Sequence, residues 1–159
     1  MKHANTQKIA FGGVIAALYV VLTLIANAFG LASGAIQVRI SEALTILPVF
    51  TTSAIPGLTV GCVLANLITG CAPWDVVFGS LATFLGAVGT WLLRKKPLLA
   101  WLPPVISNMA IIPIVLQKVY GVPDAWWYLV LTVGAGEVIS CGVLGLLLYH
   151  SVKKIPQLK

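Results

Sequence analysis

The charged residues of this chain fall in short patches, and the apolar runs between them are each long enough to cross a bilayer, about 20 residues. That spacing limits the fold more than any motif does. Hydrophobic residues make up 59% of the chain and charged residues only 9%, with a mean hydropathy of +1.01. A soluble domain of 159 residues cannot clothe its surface with so few polar side chains. The expected fold is all-α: an integral membrane bundle of six transmembrane helices in one membrane domain spanning residues 1–159. The solvent for most of it is lipid, and no nucleic-acid partner is expected.

The first apolar run, residues 9–31, follows Lys2 and Lys8 as a signal peptide's apolar region follows its basic start. It exceeds the roughly 7–15 residues of such a region, and equally apolar spans follow, so it is read as a retained helix. Cys62, Cys71 and Cys141 are odd in number and lack CxxC spacing. They imply no metal site and read as small packing residues, a Cys62–Cys71 pairing being the minor alternative.

Six helices are expected at about 8–29, 41–53, 57–70, 75–93, 98–117 and 126–150. Gly30, Ser33 and Gly34 mark a long first loop. Pro48 is expected to kink the short second helix, and Pro56 to open the third. Asp75 is placed to cap the fourth, which Arg94-Lys95-Lys96-Pro97 ends.

Cytoplasmic loops carry the excess of Lys and Arg. With the N-terminus inside, six crossings put Lys2, Lys8, Arg94, Lys95, Lys96, Lys153, Lys154 and Lys159 in the cytoplasm and only Arg39 and Lys118 outside. Both termini are therefore expected to be cytoplasmic. Trp74, Trp126 and Trp127 then lie at the outer interface, where indole rings prefer to sit, and Glu42, Asp75 and Asp124 lie near the outer surface.

Glu137 is the exception among the acids. It lies some eleven residues into the sixth helix, roughly 16 Å below its outer end at 1.5 Å per residue. A carboxylate near the midplane costs several kcal/mol unless paired, protonated or hydrated, which makes it a functional-site hypothesis by default. Its bland reading is a protonated packing glutamate. Asn27, Arg39, Glu42, Asn66 and Asn108 are expected to converge with it from the outer half of the bundle, although each Asn alone also serves as interhelical glue. Arg39 and Glu42 admit a plain ion pair at a helix start.

Two carboxylates, several amides and nearby aromatic rings suit a flat ligand rich in hydrogen-bond donors. A carboxylate accepts two donors side by side, such as the ring N–H and exocyclic amine of a guanine-like edge, and a second carboxylate neutralises a cationic substituent. The residues alone leave a cationic amine or a vitamin equally open.

The segment Gln37-Val-Arg39-Ile-Ser41-Glu42-Ala-Leu-Thr45, then Leu47-Pro48, Ala54-Ile-Pro56-Gly57-Leu and Gly61-Cys62…Ala65-Asn66-Leu67, resembles the QueT transporters. That resemblance implies a substrate-binding S-component of an energy-coupling factor (ECF) importer of the bacterial cell membrane, taking up queuosine precursors of the 7-deazaguanine type such as preQ1 or preQ0. It also implies partners: a transmembrane coupling subunit and two cytoplasmic ATPases, since the chain has no phosphate loop of its own. No cofactor is implied. Substrate-binding residues would then be Glu137, Asn66, Glu42, Arg39, Asn108, Asp75, Trp74 and Asn27. The family's small-residue docking surface on the first helix would map to Ala10, Gly12, Gly13, Ala16 and Ala17, a spacing that also suits plain internal packing. The glycine-containing loop at about 30–40 would act as a gate or as a static plug.

Rival classes meet specific obstacles. A membrane enzyme needs a nucleophile with a base or metal-binding carboxylates; His3 and His150 sit beside terminal lysines, and Glu137 has no neighbouring acid–base partner in sequence. A structural subunit would tolerate loss of Glu137 and Asn66. An S-component for another vitamin-like ligand remains open, as does an ion-coupled solo carrier, although residues 1–75 and 76–159 show no obvious inverted repeat.

Overall fold

The computed structural model describes residues 2–31 and 36–154, with side chains from residue 6 onward. Ser33 and Gly34 of the expected gate, and Lys159, lie outside the described residues, as do the side chains of Lys2 and His3. Among the described residues the chain is all helical: α1 (Lys2–Ala28), a 3-10 helix (Ile40–Val49), α2 (Ala54–Ile68), α3 (Pro73–Leu92), α4 (Leu102–Lys118), α5 (Trp126–Glu137), a π-helical segment (Val138–Leu144) and α6 (Gly145–Val152). The last three run on as one rod.

Among the described residues, four stretches are long and apolar enough to cross a membrane: Thr6–Ala28, Pro73–Leu92, Pro97–Lys118 and Trp126–Val152. Large apolar side chains such as Ile9, Leu67, Leu85, Leu131 and Leu147 stay exposed on their outer faces. In water that surface would drive association; in lipid it is solvated. The core is thin. Ile15 and Tyr19 of α1 meet Leu44, Leu47, Leu58 and Cys62 in one buried cluster that Val152 joins from the far end of the chain.

The expected α-helix over 41–53 is corrected to a ten-residue 3-10 helix over Ile40–Val49. The local chemistry explains the tighter winding. Pro48 has no N–H to donate, and the Thr45 hydroxyl takes the Glu42 carbonyl three residues back at 2.6 Å. At about 2.0 Å rise per residue, ten residues reach roughly 20 Å, against roughly 15 Å as an α-helix. The fifth expected helix begins at Leu102, not 98, because Pro103 and Pro104 are tolerated only in a first turn, where their missing N–H groups cost nothing. Pro97–Leu99 forms a separate 3-10 turn.

Gly57 and Gly61 set how closely α1 and α2 approach. A Cβ on Gly57 would lie 2.6 Å from the Gly12 carbonyl oxygen, and one on Gly61 2.8 Å from Tyr19 Cβ and 3.0 Å from Ala16 Cα. Gly12 and Ala16, expected on a docking surface, are thus buried against α2. Ala10, Gly13 and Ala17 face outward. Gly12, Gly13 and Ala16 also edge an apolar groove between the two helices, with Lys8 at its end and Pro56 and Val60 across it.

The turns sort to two ends. At one, the Ala72 N–H meets the Tyr120 hydroxyl, joining the α2–α3 and α4–α5 connections. At the other, Phe50 stacks on Tyr149 with ring centroids 5.4 Å apart, and Lys153 approaches the same Tyr149 ring.

Candidate functional site

A cavity of about 370 Å³ opens at the Tyr120 end of the bundle, a size that suits a small organic molecule. Its polar lining comes from every connection at that end: Thr23 and Asn27 from α1, Gln37, Arg39 and Ser41 around the start of the 3-10 helix, Asn66 from α2 and Thr69 just past its end, Asp75 from α3, and Tyr120 beyond α4. Ile112, Leu116 and Val122 give it an apolar wall. Four expected site residues, Asn27, Arg39, Asn66 and Asp75, therefore meet around one space.

Local structure fixes each of them. Asn66 and Asp75 are buried, and both reach over Gly79: a Cβ there would lie 3.2 Å from Asn66 Nδ2 and 3.5 Å from Asp75 Oδ1. Asn66 donates only to the Cys62 thiol, at 3.6 Å, a weak bond that leaves the amide free to bind a ligand. Asp75 does not cap α3, as its sequence position suggested. The N-cap is Ala72, Pro73 opens the helix, and Asp75 lies inside the first turn with Oδ2 accepting the Tyr120 hydroxyl at 2.8 Å. Partial desolvation, then the hydrogen bond and charge of Asp75, push the Tyr120 phenol up to about 12. It stays a neutral donor at physiological pH.

Arg39 is partly buried, and its backbone N–H donates to Ser140 Oγ at 3.1 Å, fastening the cavity floor to the π segment. Thr23 Oγ1 donates to Ser41 Oγ at 2.9 Å, linking α1 to the same floor. Gly136 allows this closeness, since a Cβ there would collide with the Gln37 carbonyl.

Beneath the floor is a second polar group. Glu42, expected to converge with Glu137, is buried at 1% exposure, with Oε1 accepting the Tyr19 hydroxyl. No Arg39–Glu42 ion pair forms. Glu137 is buried beside it, accepting the Cys141 thiol at 3.2 Å on Oε2. Glu42, Glu137 and Cys141 each bring a ligand-type atom within 4.8 Å of the others. Asn108 of α4 is also buried and acts on the Glu137 carboxylate, although its Nδ2 completes no hydrogen bond. Glu42, Glu137 and Asn108 do not line the cavity. Trp74 lies outside it too, exposed and stacked on Phe78.

The sequence reading passed over Tyr19, Thr23, Thr69, Cys71 and Tyr120 as individual site residues. Tyr19, Thr23 and Asn27 recur every fourth residue on one face of α1, a signal that was available. Tyr120 had none, because only the folded loops bring it to Asp75. Cys62, Cys71 and Cys141 are all free thiols.

Several lipid-facing apolar helices around a polar cavity that opens at one end define a multi-pass protein of the cell membrane with room for a small molecule. Residues 9–154 match the QueT transporter family, and the chain belongs to it. It is a transporter-family protein and not an enzyme. It is also similar to a Lactococcus lactis subsp. cremoris protein named "Queuosine precursor transporter QueT", at 35% identity over 86 residues, which cover 54% of this chain and 50% of that relative. The chain thus matches about half the length of this curated relative. No solved structure matches.

Proposed function

We propose that this chain is the substrate-binding S-component of an ECF-type importer, which captures a queuosine precursor of the 7-deazaguanine class, such as preQ1 or preQ0, and releases it to the cytoplasm. The observation that carries the reading is the one-ended cavity, in which Asp75, Asn66, Arg39 and Asn27 surround a space of about 370 Å³, in a chain of the QueT family. The name of the Lactococcus relative supports the substrate class. The chemistry is complementary. Asp75 accepts paired ring and amine N–H donors or neutralises an aminomethyl cation, Arg39 donates to a ring carbonyl, and the apolar wall covers a flat base.

In this reading one membrane domain crosses six times, the 3-10 helix and α2 forming a descending and returning pair, with both termini cytoplasmic. The cavity then faces outside and the Arg94-Lys95-Lys96 patch faces inside, in keeping with the distribution of basic residues. Glu42, Glu137 and Asn108 act on the substrate indirectly, through the floor they support. A transmembrane coupling subunit docks on α1, the least buried of the four long spans, through Ala10, Gly13 and Ala17 and the groove edged by Gly12 and Ala16. Two cytoplasmic ATPases supply the energy.

The test is equilibrium binding of preQ1 and preQ0 to the detergent-purified chain, with guanine and riboflavin as competitors. Saturable binding that Asp75→Asn weakens supports the proposal. Absence of binding to folded protein, or displacement by riboflavin, assigns another ligand. Co-purification with ATPase subunits, lost on Ala17→Leu while binding persists, separates an S-component from a solo carrier.

A further inference from the structure

We propose that Glu42, Glu137 and Cys141, completed by Asn108, form a binding site for one dication of the zinc class beneath the floor of the substrate cavity. The ligand-type atoms of the first three lie within 4.8 Å of one another. Cys141 Sγ and Glu137 Oε2 are 3.2 Å apart, and opening that contact by a few tenths of an ångström gives the roughly 3.5–3.7 Å edge of a tetrahedron with bonds of about 2.3 Å to sulfur and about 2.0–2.2 Å to oxygen. The residues come from three elements, the 3-10 helix, α4 and the α5–π junction, so the site exists only in the folded bundle.

Two buried polar atoms at this cluster stand without partners, and of these the Glu42 carboxylate oxygen is the one that calls for a cation. Glu42 Oε2 and Asn108 Nδ2 have no hydrogen-bond partner, although their residues are only 1% and 3% exposed. Buried polar groups are normally satisfied, and each orphan costs about 1–3 kcal/mol. Asn108 is directed at the cluster, since its amide acts on the Glu137 carboxylate. A half-turn of that amide exchanges nitrogen for oxygen and presents Oδ1 as a fourth donor.

The surroundings match what metal ligands require. The Tyr19 hydroxyl holds Glu42 by Oε1 and leaves Oε2 for the ion, the outer-sphere arrangement that orients a ligating carboxylate. Charge also favours a dication. Arg39 acts electrostatically on both carboxylates; together with a dication it cancels Glu42, Glu137 and a Cys141 thiolate, leaving a neutral group in an apolar bundle. The sulfur selects zinc-class ions over magnesium or calcium, which take oxygen ligands. Binding releases the thiol proton to solvent, so loading weakens at low pH.

The experiment is titration of the purified, metal-stripped chain with Co²⁺ and Zn²⁺, with folding followed by helical circular dichroism and melting. One equivalent of Co²⁺ should bind with a sulfur-to-cobalt charge-transfer absorption that Zn²⁺ bleaches and excess Mg²⁺ or Ca²⁺ does not. Cys141→Ser should remove that absorption, Tyr19→Phe should weaken binding by about 10- to 100-fold, and Cys62→Ser with Cys71→Ser should leave both unchanged. Folded wild-type protein that binds neither ion stoichiometrically overturns the site, as does an absorption that survives Cys141→Ser. Because the readout is the metal itself, this result is independent of which molecule the cavity transports.

Discussion

Replacing Gly61 with alanine tests whether the α1–α2 seam holds the cavity in shape. The added Cβ would stand 2.8 Å from Tyr19 Cβ and 3.0 Å from the Cα and carbonyl oxygen of Ala16, where carbon atoms normally rest about 3.5–4.0 Å apart. None of these atoms is the far end of a flexible side chain, so α1 must move away by roughly 1 Å. Overpacking of this kind costs about 1–3 kcal/mol, which in a chain of this size lowers the melting temperature by about 2–12 °C. The shift also carries Tyr19 and Thr23, whose hydroxyls reach Glu42 and Ser41, so ligand affinity should fall together with stability. Gly13→Ala is the matched control: nothing lies within 4 Å of its Cβ position, and alanine is the better helix former by about 1 kcal/mol. Thermal melting and equilibrium binding on the two variants in one detergent decide the matter. A Gly61→Ala protein that melts and binds like wild type would refute the close seam.

Asn66→Ala should leave the fold intact and weaken precursor binding by about 2- to 10-fold, the worth of one hydrogen bond of roughly 0.5–1.5 kcal/mol, read by isothermal titration. Arg39→Ala removes the one cation that lines the cavity and should weaken precursor binding with little change in melting, because Arg39 forms no ion pair with Glu42 and is only partly buried; unchanged affinity in the same titration would take Arg39 out of the site. Tyr120, held at about 12, should remain mostly protonated at pH 11 in a difference ultraviolet titration against Tyr120→Phe, and Asp75→Asn should bring its midpoint down. The sign follows from the raised value: stability from the neutral phenol is complete below about 10, the unfolded value, and is lost as pH rises towards about 12. A Tyr120 midpoint at the ordinary tyrosine value would break the Asp75 contact.

Much of the bundle was legible because lipid leaves few choices. Apolar run length and basic flanks pick out the long helices, and α3 and the final rod fall within a few residues of their expected limits. The second helix was not legible in kind. Apolar periodicity over ten residues does not separate α from 3-10 winding, and the deciding contact, Thr45 to the Glu42 carbonyl, is a side-chain choice. The acids divide the same way. Asp75 was legible as a polar residue at a helix start, Glu137 as a buried acid and Glu42 as converging with it, but the hydrogen-bond partner of Glu42 was not, because Tyr19 lies 23 residues away. The Glu137–Cys141 contact carried a signal that went unused: an i, i+4 pair on one helical face.

The two faces of α1 bear on how the proposed partner docking and substrate binding would share one helix. Gly12, Ala16, Tyr19 and Thr23 recur at three- and four-residue steps, the stripe that packs on α2 and then reaches the cavity. Ala10, Gly13 and Ala17 form a second stripe that faces outward, on a helix otherwise turned to lipid. Because the inner stripe is seated on Gly57 and Gly61 with no slack, a partner gripping the outer stripe cannot slide α1 alone; it must carry α2 with it. The 3-10 helix follows, since Tyr19 and Thr23 are hydrogen-bonded to Glu42 and Ser41. Three helices joined in this way should shift together when α1 is pulled. That favours transport in which this chain reorients as a whole, as the proposed S-component role requires, over transport in which the cavity opens by parting these helices.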